Sequence, residues 1–160
     1  MTTATAFIGQ PKDFDFLVGN WQVVSRRLRQ RHVGSDDWYE FVGVQQAWSH
    51  LAGIVSVDEV HFESEGFSGC TVRSLDLATR QWSIYWISSG DGRLLPPVHG
   101  GWNGDRGEFY GDDDDGGRPI RVRFVWQRLG GDRARWEQAF SVDGGQEWEC
   151  NWTMDFTRLE

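Results

Sequence analysis

The chain has 160 residues, a mass of 18.4 kDa and a net charge of −8 with histidine neutral, a size that suits one domain with a substantial core. That acidity argues against nucleic acid or an anionic membrane as the main partner, because both attract positive patches. Ten Trp, ten Phe and three Tyr exclude a disordered acidic segment.

Residues 1–12 lack the basic start and apolar run of a signal peptide, and no later stretch nears the roughly 20 apolar residues that span a bilayer. A cytoplasmic protein with Cys70 and Cys150 as free thiols is therefore expected. Residues 13–18 read as a short helical turn before a first strand in which Trp21, Val23, Ser25 and Arg27 share a face. In the third strand Glu59 and His61 share a face with Val55 and Val57, and in the fourth Arg73 lies with Thr71 and Leu75. The aromatic strand Trp82-Ser83-Ile84-Tyr85-Trp86 leads to a polar loop over 89–97, and His99 follows that loop.

The run Asp112-Asp113-Asp114-Asp115-Gly116-Gly117 reads as a solvated turn, since it lacks the alternating ligands and terminal Glu of a calcium loop. Beyond it Ile120, Val122, Phe124 and Trp126 alternate with Arg121, Arg123, Val125 and Gln127. Ala134, Trp136, Gln138 and Phe140 repeat the pattern, and Trp148, Cys150, Trp152, Met154 and Phe156 close the chain in the same way. Short Gly- and Asp-rich turns divide these runs, among them Gly34-Ser35-Asp36-Asp37, Asn103-Gly104-Asp105-Arg106 and Gly130-Gly131-Asp132.

The pattern predicts an all-β domain over 1–160 with about ten strands in sequence, joined by hairpins. Connections this short favour an up-and-down antiparallel β-barrel, which also removes the exposed edges of a Trp-rich sheet. Reversal at every hairpin then assigns the ends. Trp21, Trp48, Trp102, Trp126, Phe156 and Arg158 gather at a floor, while Trp38, Trp86 and Trp148 approach a mouth bordered by the loops near 34–35, 63–64, 89–97, 112–119 and 143–146.

The opening Asp13-Phe14-Asp15-Phe16-Leu17-Val18-Gly19-Asn20-Trp21, with its Gly-x-Trp, together with Arg158 in the last strand, resembles the lipocalin (calycin) pattern. The whole chain is similar to a group of uncharacterised bacterial lipocalin-like proteins in this opening, in Trp82 to Trp86 and in the stretch from Arg135-Trp136-Glu137-Gln138 to Arg158. The resemblance implies a short helix closing the barrel floor, Arg158 covering Trp21, and a ligand cavity. The segment Ser141-Val142-Asp143-Gly144-Gly145-Gln146-Glu147-Trp148 resembles a single Asp box, read here as a turn whose carboxylate accepts backbone N–H groups.

The interior of such a barrel is either filled by indole rings or left as an aromatic-lined pocket with a few orienting polar groups. The pocket reading predicts a small apolar or aromatic ligand contacted by Arg27, Glu59, His61, Arg73, Trp86, His99, Gln138 and Trp148. Arg73 pointing inward would anchor a carboxylate or enolate oxygen; Glu59 and His61 form a coupled acid–base pair if their face is the inner one, and are solvated if it is the outer one. An enzyme of the same shape, a cyclase or isomerase using Arg73, His61 and Glu59, is the alternative, and haem binding through His61 or His99, as in nitrobindin-like barrels, is a second. No metal cluster or nucleotide motif is present, so no cofactor is expected. An aromatic outer face would support a homodimer.

Overall fold

A computed structural model describes residues 6–159. The expectation that residues 1–12 are no signal peptide falls in part on residues 1–5, which lie outside the described residues, as does Glu160. The chain forms ten strands: β1 (Gly19–Leu28), β2 (Trp38–His50), β3 (Val55–Phe62), β4 (Phe67–Asp76), β5 (Gln81–Ser88), β6 (Val98–Asn103), β7 (Arg106–Asp115), β8 (Arg118–Arg128), β9 (Arg133–Ser141) and β10 (Glu149–Arg158). Each strand pairs antiparallel with its neighbours in sequence, and β10 returns to β1 to close the barrel. An even number of strands lets a meander close with antiparallel pairing throughout. The helical part of the expected 13–18 segment is a single 3-10 turn, Asp15–Leu17. No helix among the described residues is long and apolar enough to cross a membrane.

The floor is solid. Phe14 and Leu17 rise into the barrel from the opening segment, and Phe14 packs edge-on to Trp82 and Trp102 with centroids 4.9 and 5.4 Å away. A 3-10 turn leaves carbonyl oxygens unpaired at its ends, and here three of them receive side chains. Trp21 Nε1 donates to Leu17 O at 2.8 Å, while Arg158 Nη1 and Nη2 donate to Val18 O at 2.8 Å and Phe16 O at 2.7 Å. The same guanidinium lies 4.2 Å from the Trp21 ring centroid, the covering contact implied by the resemblance.

One seam is thin. β5 and β6 share three register pairs, against ten between β7 and β8. The opening segment repairs the gap on the floor side, where Ile8 bridges Trp102 and Gly9 N donates to Arg80 O at 2.8 Å. Gly101 permits this close approach, since a Cβ there would lie 2.6 Å from the Ile8 carbonyl carbon. On the other side Leu95 N donates to Trp86 O.

Two placements differ from the expectation. Trp48 is not in the floor but on the outer face, 37% exposed, because β2 alternates without interruption and turns Phe41, Gly43, Gln45 and Ala47 inward. It shares that outer face with exposed Val42 and Val44. The apolar alternation of β10 is also broken: Cys150 pairs with Ala139 but Trp152 with Gln138, so Asn151 forms a bulge. Trp152, Met154 and Phe156 therefore point inward, while Trp148 and Cys150 do not.

The 141–148 turn folds as read from its residues. Asp143 Oδ1 accepts the backbone N–H groups of Gln146 and Glu147, each at 3.0 Å, and the Ser141 hydroxyl at 2.7 Å. These bonds lower the Asp143 pKa, the Glu147 N–H most of all.

Replacing Arg158 with Leu keeps apolar cover over Trp21 but strips Phe16 O and Val18 O of their donor. The expected loss is about 2 kcal/mol of unfolding free energy in urea titrations followed by Trp emission. An unchanged midpoint would contradict this view of the floor.

Candidate functional site

Above the packed floor the barrel is hollow. Both expectations for the interior thus hold, at different depths. A cavity of about 240 Å³ lies over Trp126 and Phe156 and opens between the segments carrying Arg31, Arg93 to Pro96, and the end of β7 at Asp115. Its aromatic wall is held edge to face: Trp152 sits 6.1 Å from Trp86 and 5.5 Å from Trp136, and Phe124 sits 5.0 Å from Trp136. Trp86 crosses the barrel wall above Gly69, where a Cβ would fall 1.8 Å from its ring.

The polar wall comes from β3 and β4. Arg73 points inward as expected, but so does Asp58, which the residue pattern did not single out. Arg73 Nη2 donates to Asp58 Oδ2 at 2.5 Å and Nη1 to Ser56 Oγ at 3.1 Å, and both charged side chains are 2% exposed. The guanidinium also lies 4.9 Å from the Phe14 ring and 5.5 Å from Trp126. A pair this deep is held by its mutual charge, and removing one partner strands the other in a low-dielectric interior. Arg73 is therefore a matched charge rather than the free anchor expected for a ligand carboxylate.

Parity in β3 corrects the acid–base pair. Ser56, Asp58, Val60 and Phe62 face in, which places Glu59 and His61 outside. Their side chains are 54% and 61% exposed and 3.7 Å apart, and His61 Nδ1 lies 2.7 Å from Ser68 Oγ on the neighbouring strand. β3 carries apolar residues on both faces, Val55 and Val57 on one and Val60 and Phe62 on the other, so hydrophobicity alone could not choose between them. The register Phe62↔Phe67 across the tight 63–66 turn is the signal that would have placed Phe62, and hence Asp58, inward.

His99 is also outside, 2.9 Å from Ser83 Oγ. Neither histidine assigned to haem faces the cavity. Trp148 is turned outward by the Asn151 bulge and packs against Tyr110 and the Arg123 guanidinium at 5.9 and 4.8 Å. Of the remaining candidates, Arg27, Trp86 and Gln138 line the cavity together with Arg73. Gln138 Nε2 donates to Asn151 Oδ1 at 2.8 Å, so the bulge residue holds a cavity side chain in place.

The mouth is built from charge. The Asp run is strand rather than turn: it carries β7 to Asp115, with Asp113 and Asp115 on the same face as Phe109. Asp112 accepts from Arg121 across the hairpin, at 3.1 Å. Asp115 instead reaches the β1–β2 loop, taking Arg31 Nε at 2.8 Å and Nη2 at 2.7 Å, with His32 Nε2 at 2.8 Å. His32 N also donates to Glu149 Oε1 at 2.8 Å, so this clasp joins three segments of the rim. Among the described residues no cluster of His, Cys, Asp and Glu is placed to hold a metal ion.

Arg27 lies just below the clasp. Its β1 position pairs with Trp152 on one side and Tyr39 on the other, and its guanidinium sits 4.3 Å from the Trp152 ring centroid. Burial pushes its pKa below the ordinary arginine range, Tyr39 opposes this, and Arg31 adds to it. It remains a cation at neutral pH.

Compared with known proteins, the chain matches no family model and no curated sequence.

The Arg31 donors, more than His32, hold the Asp115 carboxyl at a pKa of about 2, below its ordinary 3.8. The clasp therefore adds stability that is present above the ordinary value and is lost as the pH falls through the folded one. It is expected to stay closed from pH 7 down to 4, with Asp115→Asn raising amide exchange over 29–36 by about tenfold at pH 7. Unchanged exchange would show that the loop is held by other contacts.

Proposed function

We propose that the barrel binds a small, mainly apolar or aromatic molecule in the upper cavity. The single observation that carries this reading is the hollow above Trp126 and Phe156. Its walls are indole and phenyl rings fixed by their own contacts, with a few oriented polar side chains between them. Binding sites for small molecules have this composition: an apolar lining, few polar groups and a preformed shape. The acidic rim, Asp112 to Asp115, disfavours a polyphosphate chain at the entrance.

The Gly-x-Trp opening latched by Arg158 supports grouping the protein with lipocalin-like barrels, where a cavity of this kind holds a ligand. The cyclase or isomerase reading has lost the acid–base pair it named, since Glu59 and His61 face solvent. Among the described residues the one carboxylate deep in the cavity, Asp58, is already committed to Arg73. Binding without turnover is thus the reading the cavity supports best.

Naphthalene-1-methanol, a neutral aromatic probe, is expected to quench Trp emission saturably and to give a one-to-one complex in native mass spectrometry. Met154→Trp places an indole in the cavity beside Trp136 and is expected to weaken that binding about tenfold or more while the barrel still melts cooperatively. Equal binding by this variant would locate the probe elsewhere, and failure of the native protein to bind this probe or its charged analogues would remove the function.

A further inference from the structure

We infer that the molecule held in this cavity is an organic anion, an aromatic or short aliphatic carboxylate whose acid group sits on Arg27. This rests on the cavity binding a small molecule, and it adds the chemical class and the anchoring residue.

The argument is one of charge matching by depth. At the base of the cavity Arg73 and Asp58 neutralise each other. At the rim Asp115 is taken by Arg31 and His32, and Asp112 by Arg121. Between these levels lies Arg27, and among the described residues no carboxylate pairs with it. Arg27 and Arg31 thus face the cavity with one shared acid near them, Asp115, which Arg31 already holds through two N–H groups.

Arg158 shows what a satisfied counterpart looks like. It stacks on Trp21 across the same pair of strands as Arg27 stacks on Trp152, yet two of its nitrogens donate to Phe16 O and Val18 O. The Arg27 guanidinium has the ring contact and the Tyr39 hydroxyl beside it, but among the described residues no carbonyl or carboxylate oxygen pairs with it. A planar carboxylate offers two acceptors to a guanidinium in the fork geometry that arginine favours. With its acid group on Arg27, the apolar body of the ligand would extend toward Trp86, Trp136 and Phe124. Asp113 and Asp114 are the competing charges, since both also line the mouth without an ion partner among the described residues, but they stand on β7, on a different wall from β1. Arg93 lines the same mouth as a further cation without such a partner.

The test compares three probes of one shape by Trp quenching at pH 7: 1-naphthoate, naphthalene-1-methanol and 1-naphthylmethylammonium. The native protein is expected to bind the anion at least about tenfold more tightly than the neutral alcohol, and the cation most weakly. Arg27→Gln should lower affinity for the anion at least about tenfold more than affinity for the alcohol, and Arg27→Lys should restore part of that difference. Equal affinities for anion and alcohol, or a preference for the cation, would overturn this inference and leave the binding function standing. Failure of all three probes would overturn the binding function itself. The comparison within the native protein decides the matter even where a variant folds poorly.

Discussion

Everything in this barrel depends on the ladder between β1 and β10, the one pairing that hairpins cannot supply. Its register runs from Trp21↔Arg158 at the floor to Arg27↔Trp152 near the mouth. At each end an arginine from one strand crosses to a tryptophan on the other. The floor contact is structural, because Arg158 also caps the carbonyls of the 3-10 turn and so ties the plug to the last strand. The contact near the mouth leaves a guanidinium facing a hollow. One ladder therefore closes the cylinder, seals one end and sets a positive charge in the wall of the other.

The division between filled and hollow halves follows from side-chain volume. Phe14, Trp21, Trp82, Trp102 and Phe109 occupy the lower interior, and the plug segment adds Leu17. Higher up, inward positions carry smaller or polar groups, Ser25, Gln45, Thr71 and Gln138, beside the edge-to-face indoles of Trp86, Trp136 and Trp152. The Arg73–Asp58 pair marks the boundary. Its charge is balanced internally, so it can sit beneath an apolar ligand without demanding a counter-ion from it.

Much of this was legible in the residues. Where a strand keeps one apolar face and one polar face, as in β1, β8 and β9, alternation placed Arg27, Trp126 and Gln138 correctly, and the same parity sent Arg73 inward. Legibility failed where a second effect competed with alternation. β3 is apolar on both faces, so the residues alone leave open whether Glu59 and His61 face in or out, and nothing in the pattern marks Asp58. A single bulge residue, Asn151, reversed the phase of β10 and moved Trp148 outside, and a bulge has no firm signature when no glycine marks it. The Asp run looked like a repelling turn because the cations that relieve it come from other segments, Arg31 from the β1–β2 loop and Arg121 from β8.

The central claim is that the inward-facing tryptophans form two populations, one packed in a plug and one lining a cavity that admits a ligand. Indole N–H resonances in a two-dimensional nitrogen–proton spectrum report this directly as 1-naphthoate is added. The account predicts that the signals of Trp86, Trp136 and Trp152 shift and saturate together while those of Trp21, Trp82 and Trp102 stay fixed. Shifts spread equally over both groups, or confined to the outward Trp48 and Trp148, would contradict it.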